Sequence, residues 1–408
     1  MSIRTSSSHP LVALGDVLES ISMGPFGSNL KVETFRESGV PVLRGGNLAG
    51  HRVDDSDTVF VTPEKAAELS RSLARPGDIV ITHRGTLGQV SLIPRDAKYP
   101  EYLVSQSQLR ITPDANQAAS EYITYWLHSR VGQQQLLSYA SQTGVPAISQ
   151  PTTSIKCLQI PLPPLETQRA IAEVLGALDD KIAANHRAIE IGRALLLAKW
   201  QRATSGSTDI VFLEDIASIN PRTPVASEPE PPYLDMKNLP EFGLLVSDWG
   251  SREPRGGARF QNGDSLLARI TPCFENGKMA FVDFLEEGQV GYGSTEYIVL
   301  RPKPGIPAAV PYVISANPEF RAAAALLRTG TSGRQRVQGS ELASSVIVIP
   351  DRESLCEFGK FSQALLKRLG AARTENQILA STRDELLPLL MSGRITVGAA
   401  SSRVEEVV

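Results

Sequence analysis

The chain has 408 residues, 41% of them hydrophobic, and exceeds the about 250 to 300 residues at which single cores stop growing, so we expect two or more domains. Its formal net charge of −3 excludes a broadly basic surface, so a DNA-binding surface would consist of locally grouped lysines and arginines. No signal-peptide core and no run of roughly 18 apolar residues occurs, which predicts a cytoplasmic protein without a membrane segment.

The first 164 residues have the pattern of a globular module with mixed secondary structure. Strand-like, β-branched runs occupy 78–82 and 88–93, and a helical pattern lies around 121–137. The Gly-rich stretch at 23–29 is suited to a surface loop that approaches a ligand closely. We take 1–164 as the first domain.

A long amphipathic helix is predicted over 165–202. It follows the prolines of IPLPPLETQ, and its apolar residues then alternate in steps of four and three, which is a heptad seam. Asn185 lies in this seam, at a polar position of the kind that can fix register.

The second half repeats this order. A module over 203–350 contains strand-like runs and a Gly-rich loop at 329–336, and a second heptad pattern covers 351–395 with Asn376 in its seam. The remaining residues, 396–408, are predicted to be a flexible tail.

Short strings recur in the same order in both halves, roughly 190 residues apart. The matching segments are 12–17 with 212–217, 41–48 with 232–239, 76–79 with 262–265, 143–144 with 329–330, and 160–161 with 349–350. We infer an internal duplication. The predicted fold class is α+β, with two globular domains separated by two long antiparallel helices that form a coiled coil. The alternative is two unrelated surface helices, each packed on its own domain.

The sequence contains none of the catalytic or metal-binding motifs considered next. No GxxxxGK[ST] phosphate loop occurs, and the histidines and cysteines show no metal-ligand spacing. These residues are His9, His51, His83, His128, His186, Cys157, Cys273 and Cys356. The sequence EPPY at 230–233 approaches a methyltransferase loop but lacks the Asp, Asn or Ser that accepts from the target amine. We therefore predict a non-catalytic chain that binds no cofactor or metal.

DNA recognition needs cations for phosphates, and Arg, Asn, Gln, Ser or Thr for base edges. Local groups of such residues follow the predicted strands and Gly-rich loops in both halves. The candidates in the first half are Lys31, Arg44, Asn47, His83, Arg84, Gln106 and Gln108. The candidates in the second half are Arg222, Lys237, Asn238, Arg269, Arg328, Arg334 and Arg336. Arg84 and Arg269 are interpreted as matching positions of the repeat.

The segment at 160–190, IPLPPLETQRAIAEVLGALDDKIAANHRAIE, closely resembles the segment after the first target-recognition domain in specificity subunits of type I restriction and modification systems. The ending ELLPLLMSGRI at 385–395 is also similar to that family's C-terminal end. One departure is the start of the second helix, PDRESLCE at 350–357, which lacks the PPLxxxQ pattern of the first. Its contacts to a methyltransferase are therefore expected to differ from the family pattern.

The resemblance implies that each domain reads one half of a split double-stranded DNA target. It also implies one copy per complex, with two methyltransferase subunits that use S-adenosylmethionine and two motor-nuclease subunits that use ATP with Mg²⁺. Helices of about 50 Å would separate the half-sites by more than one DNA turn, so a gapped, asymmetric target is expected. The alternatives are a duplicated coiled-coil scaffold that does not bind DNA, and an independent methyltransferase.

Overall fold

The computed structural model describes residues 9–141, 144–225, 228–253, 256–330 and 335–407. The chain divides into two compact units: Met1–Asp179 with Leu379–Val408, and Asp180–Ile378. We call these the first unit and the second unit. Both boundaries fall inside long helices, so each unit contains one globular module and a part of each helix. Within the described residues, no helix combines the length and apolarity needed to cross a membrane.

The first unit contains two four-stranded sheets. One is antiparallel, in the order Leu18–Met23, Gln108–Pro113, Ile79–Thr82, Val90–Leu92. The other has the order Val59–Val61, Val40–Leu43, Tyr102–Val104, Leu73–Ala74, and its two middle strands are parallel. Two-stranded pairs join Leu11–Ala13 to Gln159–Pro161 and Ala140–Ser141 to Ala147–Ile148. The short helices are Pro63–Glu68, Ser120–His128, Arg130–Ser138 and Pro151–Lys156.

The second unit has the same plan. Its antiparallel sheet has the order Ala217–Ile219, Tyr297–Pro302, Ser265–Ala268, Met279–Phe281. Its other sheet has the order Gly250–Ser251, Pro232–Leu234, Gly291–Gly293, Ala258–Phe260, again with parallel middle strands. Two-stranded pairs join Ile210–Phe212 to Val346–Val348 and Arg328–Thr329 to Arg336–Val337. The short helices are Leu213–Ile216, Val310–Ala316, Pro318–Leu326 and Gly339–Leu342.

The duplication predicted from the repeated strings is confirmed by this topology. Both units place their strands in the same order, and in both the parallel pair lies at the centre of the same sheet. The strand Val40–Leu43 corresponds to Pro232–Leu234, which are the segments matched by sequence. The α+β class is also confirmed.

Two long helices, Leu165–Thr204 and Arg352–Met391, are the most extended elements of the chain. We call them the central helix and the second long helix. Each has 40 residues, which at 1.5 Å per residue gives a length of about 60 Å. Gly206 and Gly393, with φ of 79° and 68°, follow their last turns in the left-handed conformation that ends many helices.

The two long helices pack together in antiparallel directions. In the second unit Asn185 contacts Asn376, Gly192 faces Leu369, and Trp200 contacts Phe358, so residue numbers rise along one helix as they fall along the other. A Cβ atom added at Gly192 would lie 2.6 Å from Leu369 Cδ1, so glycine permits this close approach. The prediction of an antiparallel coiled coil is therefore confirmed.

The seam between the helices is apolar except for one layer in which Asn185 faces Asn376. The heptad residues Leu175, Leu178, Leu196, Phe358, Leu379 and Leu386 are fully buried. Asn185 donates from Nδ2 to Asn376 Oδ1 at 2.9 Å and to Glu375 Oε2 at 2.7 Å. Because both amides are nearly buried and bonded to each other, a shift of register would leave them without these partners.

The modules are built onto the helices through shared cores. In the second unit, Leu196, Trp200, Phe358 and Leu369 of the helices belong to one cluster with module residues such as Tyr312. In the first unit, Gln168 of the central helix is fully buried and accepts from the Ala119 N–H at 2.9 Å. By the offset that relates Asn185 to Asn376, the matching position of the second long helix is Gly359, where a Cβ atom would lie 3.0 Å from Pro307 Cγ. The unusual start of the second long helix thus lacks this buried amide.

The C-terminal segment predicted as a flexible tail contains a helix, Val397–Glu405. Thr396 caps it by accepting from the Ala399 N–H at 3.3 Å, and Ala400 is fully buried. An Ala/Val stripe with a Thr cap, although short, is enough to order this segment once the stripe is buried.

In the first unit, a polar cluster joins the module to both long helices. We call it the junction cluster, and it consists of His51, Tyr125, His128, Asp179 and Arg383. The Asp179 carboxylate accepts from Tyr125 Oη at 2.7 Å and from Arg383 Nη1 at 2.6 Å. The His51 and His128 rings are 3.9 Å apart between centroids, and His51 Nδ1 lies 3.7 Å from Asp179 Oδ2.

Burial and the neighbouring His128 lower the pKa of His51 to about 4, although Asp179 acts in the opposite direction. Burial also lowers the pKa of His128, whose Nε2 lies 2.7 Å from the Val90 carbonyl oxygen. Both rings are therefore neutral at pH 7.

We expect acid to destabilise the protein through this cluster. The pKa of His51 is lower in the folded than in the unfolded chain, so below pH 6.5 the unfolded chain takes up a proton that the folded chain excludes. The free energy of unfolding should fall by about 2 kcal/mol between pH 7.5 and pH 5 from this histidine. Urea denaturation of His51→Phe should show a correspondingly weaker pH dependence. His186→Phe, at an exposed position of the central helix, is the control, and equal slopes for the two variants would contradict the assignment.

Candidate nucleic-acid interface

Turns of the first module meet at one edge of its sheets. We call 24–29, 44–48, 83–88 and 105–108 the first loop edge. The parallel strands Val40–Leu43 and Tyr102–Val104 end on the same side, so the turns that follow them are neighbours. Backbone bonds join these turns: Ser105 N–H donates to Leu43 O at 3.0 Å and His83 N–H to Ser107 O at 2.9 Å.

A chain of polar side chains supports this edge from below. Gln89 donates from Nε2 to the Gly45 carbonyl at 2.9 Å, and its Oε1 accepts from Thr82 Oγ at 3.1 Å. Gln108 accepts from Ser105 Oγ and is almost completely buried. Because these amides are occupied within the protein, they fix the backbone of the turns around them.

The candidate DNA-binding residues of the first half differ in the solvent exposure of their side chains. Lys31, Arg84 and Gln106 are exposed, and Arg84 and Gln106 lie on the first loop edge itself. Asn47 is buried: it accepts from the Arg44 N–H at 2.9 Å and donates to the Asp54 carbonyl at 2.9 Å. It closes the turn 44–48, as Gln108 closes 105–108.

Arg44 and His83 are intermediate cases. Arg44 is half-buried and donates from Nη2 to the Asp57 carbonyl at 3.4 Å. His83 is 8% exposed, and burial lowers the pKa of its imidazole, so the ring is neutral at pH 7. Within the described part of the chain, Arg44 Nε and His83 Nε2 are buried without a hydrogen-bond partner.

The second module forms a corresponding edge, which we call the second loop edge: 235–239, 269–278, 294–297 and 335–338. The same backbone bonds recur, since Arg269 N–H donates to Glu296 O as His83 N–H does to Ser107 O. Val337 N–H donates to Arg269 O as Ile148 N–H does to His83 O. The position of Arg269 is thus that of His83, and the sequence-based pairing of Arg269 with Arg84 was wrong by one residue because sequence alone does not fix where the strand ends.

The two loop edges share their main-chain hydrogen bonds and differ in their side chains. Lys278 takes the place of Gln89, and its Nζ donates to the Met236 carbonyl at 2.9 Å, which corresponds to the Gly45 carbonyl. Thr82 N–H donates to Gln89 O, and Ala268 N–H donates to Lys278 O, in the equivalent strand positions. The remaining equivalent pairs are Arg44 with Asp235, Gln106 with Thr295, Ser107 with Glu296, and Gln108 with Tyr297.

Several arginines of the second half are engaged inside the protein. Arg336 donates from Nε and Nη2 to the Glu296 carboxylate at 2.7 to 3.0 Å, and this pairing raises the pKa of its guanidinium. Arg269 donates from Nη2 to Gln338 Oε1 at 2.7 Å. Arg328 donates to the Ala325 carbonyl and pairs with Glu275. These contacts hold the strand pair that ends the second loop edge.

The other candidates of the second half are more accessible. Lys237 and Arg222 are exposed, and Asn238 donates from Nδ2 to Asp248 Oδ2 at 2.7 Å. Arg334 lies outside the described residues. Sequence reasoning missed Gln89, Lys278 and Glu296. Their roles depend on which carbonyl or guanidinium lies opposite, and only the polar residues flanking the strand-like runs gave a signal.

No group of three or more His, Cys, Asp or Glu residues in the described ranges has the arrangement of a metal site. The two loop edges carry hydrogen-bonding and charged side chains on defined turns. Such a surface can contact phosphates and base edges.

Comparison with known proteins connects this architecture to one family. Residues 11–191 match the family model described as type I restriction modification DNA specificity domain. Over 179 residues the chain is 27% identical to a protein of Methanocaldococcus jannaschii named as the type I restriction enzyme MjaX specificity subunit, covering 44% of this chain and 41% of that protein. Over 164 residues it is 29% identical to the Escherichia coli type I restriction enzyme EcoEI specificity subunit, covering 38% of this chain and 27% of that protein.

These sequence matches span less than half the length of either relative. The fold is similar throughout to that of the type I restriction-modification system S subunit from M. genitalium, with a TM-score of 0.58 at 15% identity and coverage of 96% of this chain and 98% of that chain. Residues 11–191 thus resemble a type I DNA specificity domain. The sequence matches cover the first half of the chain, and the likeness of fold to an S subunit extends over both halves.

The exposed and buried glutamines of the first loop edge should respond differently to substitution. Gln108→Leu should lower the free energy of unfolding by about 1 to 3 kcal/mol, because Ser105 loses its buried acceptor. Gln106→Leu, two residues away and exposed, should change it by less than about 0.5 kcal/mol. Urea denaturation of both variants measures this, and equal effects would show that Gln108 does not support the edge.

Proposed function

We propose that this chain is the sequence-specificity subunit of a type I restriction and modification complex. Residues 1–164 and 203–350 act as two target-recognition domains, each reading one half of a gapped, asymmetric DNA target. The chain itself is non-catalytic, and the chemistry belongs to its partners. This proposal is supported by the likeness of residues 11–191 to a type I DNA specificity domain, by the likeness of fold to an S subunit and by the two loop edges.

The proposal is carried by one observation: the two loop edges have the same main-chain hydrogen bonds but different side chains. Bonds such as His83 N–H to Ser107 O and Arg269 N–H to Glu296 O place equivalent turns alike. At those places Gln106 is replaced by Thr295 and Arg44 by Asp235. A shared frame with different donors and acceptors is suited to two docking events of the same geometry on different bases.

The charge distribution suits a reader that works inside a larger assembly. The net charge of −3 gives little general attraction to phosphates, and Arg269, Arg328 and Arg336 are engaged by partners within the second unit. Exposed cations remain at Lys31, Arg84, Arg222 and Lys237. Phosphate attraction sufficient for tight binding would then come from the partner subunits.

The long helices supply the docking surface for those partners in this proposal. Ile191 and Leu195 of the central helix and Ile378 of the second long helix are large apolar residues with 49% to 61% exposure. One copy of this chain would bind two methyltransferase subunits that use S-adenosylmethionine. Two motor-nuclease subunits that use ATP with Mg²⁺ would join for cleavage.

Substitutions on the two loop edges should affect different half-sites. In the complex with its methyltransferase subunits, Arg84→Ala should weaken or relax methylation that depends on one half-site, because its exposed guanidinium lies on the first loop edge. Lys237→Ala should act on the other half-site. Sequencing of methylated DNA from cells that carry each variant measures both effects.

His186→Ala, on the exposed side of the central helix, is the control and should leave the methylated sequence unchanged. If neither edge variant alters methylation, these residues do not contact DNA. If the wild-type complex does not retard any DNA, the scaffold alternative is favoured.

The spacing between the half-sites should follow helix length. Insertion of one heptad into both long helices, after Asp180 and after Ile378, keeps the seam in register and adds about 10 Å. The gap should grow by about three base pairs while the half-site bases stay the same. A seven-residue insertion after Glu405, beyond the last helix, is the control, and an unchanged gap in the double insertion would contradict the role of the helices.

A further inference from the structure

The turn 24–29 is anchored tightly on the first loop edge. Gly24 N–H donates to the Gln108 carbonyl at 2.8 Å, and a Cβ atom at Gly24 would lie 1.9 Å from the Ser105 carbonyl oxygen. A Cβ atom at Gly27 would lie 2.2 Å from Gln106 Oε1. Gly24 therefore allows this turn to lie directly against 105–108, and the Gln106 side chain lies beside Gly27.

Phe26, at the tip of this turn, is 85% exposed. Its carbonyl accepts from the Asn29 N–H at 2.8 Å, and Pro25 before it restricts the backbone, so the turn presents the ring from a fixed base. Single exposed apolar residues are ordinary. Phe26, however, precedes the exposed residues Lys31 and Val32 in the chain, and the exposed Gln106 lies beside Gly27, the next residue of the turn.

The combination of groups indicates the ligand chemistry. Lys31 favours a polyanion, and a glutamine amide such as that of Gln106 can form two hydrogen bonds with adenine in the major groove. The apolar feature of that groove is the 5-methyl group of thymine, which contacts residues such as phenylalanine. An exposed phenylalanine next in sequence to Gly27, beside which the Gln106 amide lies, thus matches an A·T pair or two adjacent pairs.

The second unit departs from the first at this place. Its strand ends at Ile219, and Asn220 follows with φ of 48°, its Oδ1 accepting from the Val299 N–H at 2.9 Å. In the first unit the corresponding strand continues to Met23 and then enters the Phe26 turn. The aromatic contact would therefore distinguish the first half-site from the second.

The geometry points to Phe26 as a specificity-determining residue that contacts a thymine 5-methyl group in the half-site read by the first module, next to the base bound by Gln106. This inference rests on the proposed function and names one contact within it. Loss of a buried methyl group weakens binding by about fourfold.

The test uses the complex of the full chain with its methyltransferase subunits and a duplex carrying its methylated target. Each thymine of both half-sites is replaced in turn by deoxyuracil, which lacks the 5-methyl group. Wild-type complex should lose about fourfold in affinity at one thymine of the first half-site. Phe26→Ala should bind the thymine and deoxyuracil duplexes equally at that position, and Phe26→Leu should keep part of the difference.

Phe212→Ala, a half-exposed phenylalanine of the second unit, is the matched control and should keep the full wild-type difference. Wild-type insensitivity to every deoxyuracil in the first half-site would overturn the inference, and so would the same sensitivity in Phe26→Ala as in wild type. Increased fluorescence of 2-aminopurine at the half-site in wild type but not in Phe26→Ala would also overturn it, because the ring would then be inserted between bases. Failure of wild-type complex to bind any target duplex would instead refute the proposed function.

Discussion

The rest of the structure depends on the antiparallel seam between the two long helices. A helix of 40 residues with one apolar stripe is not stable alone in water, and here Leu178, Leu196, Leu379 and Leu386 are fully buried. The paired amides of Asn185 and Asn376 add a polar contact that other registers would break. Each module then completes its core or its polar contacts on this seam, so the helices act as a scaffold for both modules.

The two modules share the backbone arrangement of their loop edges and differ in the side chains on it. Hydrogen bonds between main-chain atoms fix the turns of both loop edges. The side chains on these turns differ between the modules, but in each module one side chain donates a hydrogen bond to the equivalent carbonyl, Gly45 O or Met236 O. Gln89 and Lys278 are these donors, and they differ in chemistry. The exchange of a glutamine for a lysine alters the local charge while the equivalent carbonyl keeps a donor.

The two halves also differ in how their cations are used. In the second unit Arg336 forms a two-pronged pair with Glu296, a geometry that holds the guanidinium in one orientation. In the first unit Ser107 stands where Glu296 would be, and Arg84 is exposed nearby. Arginines near equivalent loops are thus paired within the protein in the second unit and exposed in the first.

The sequence by itself determined the duplication, the two long helices, their antiparallel pairing and the α+β class, because heptad spacing and repeated turn strings are local or periodic signals. It also located the right loops, since Gly-rich and polar stretches after apolar runs mark surface turns. Only the tertiary structure decided which candidates face solvent. Asn47 and Gln108 have the same composition signal as Gln106 but are buried, and Arg269 matches His83 and not Arg84. The physical reason is that burial and hydrogen-bond partners arise from residues distant in sequence, such as Leu43 with Ser105 and Gly45 with Gln89, and no local pattern encodes those contacts.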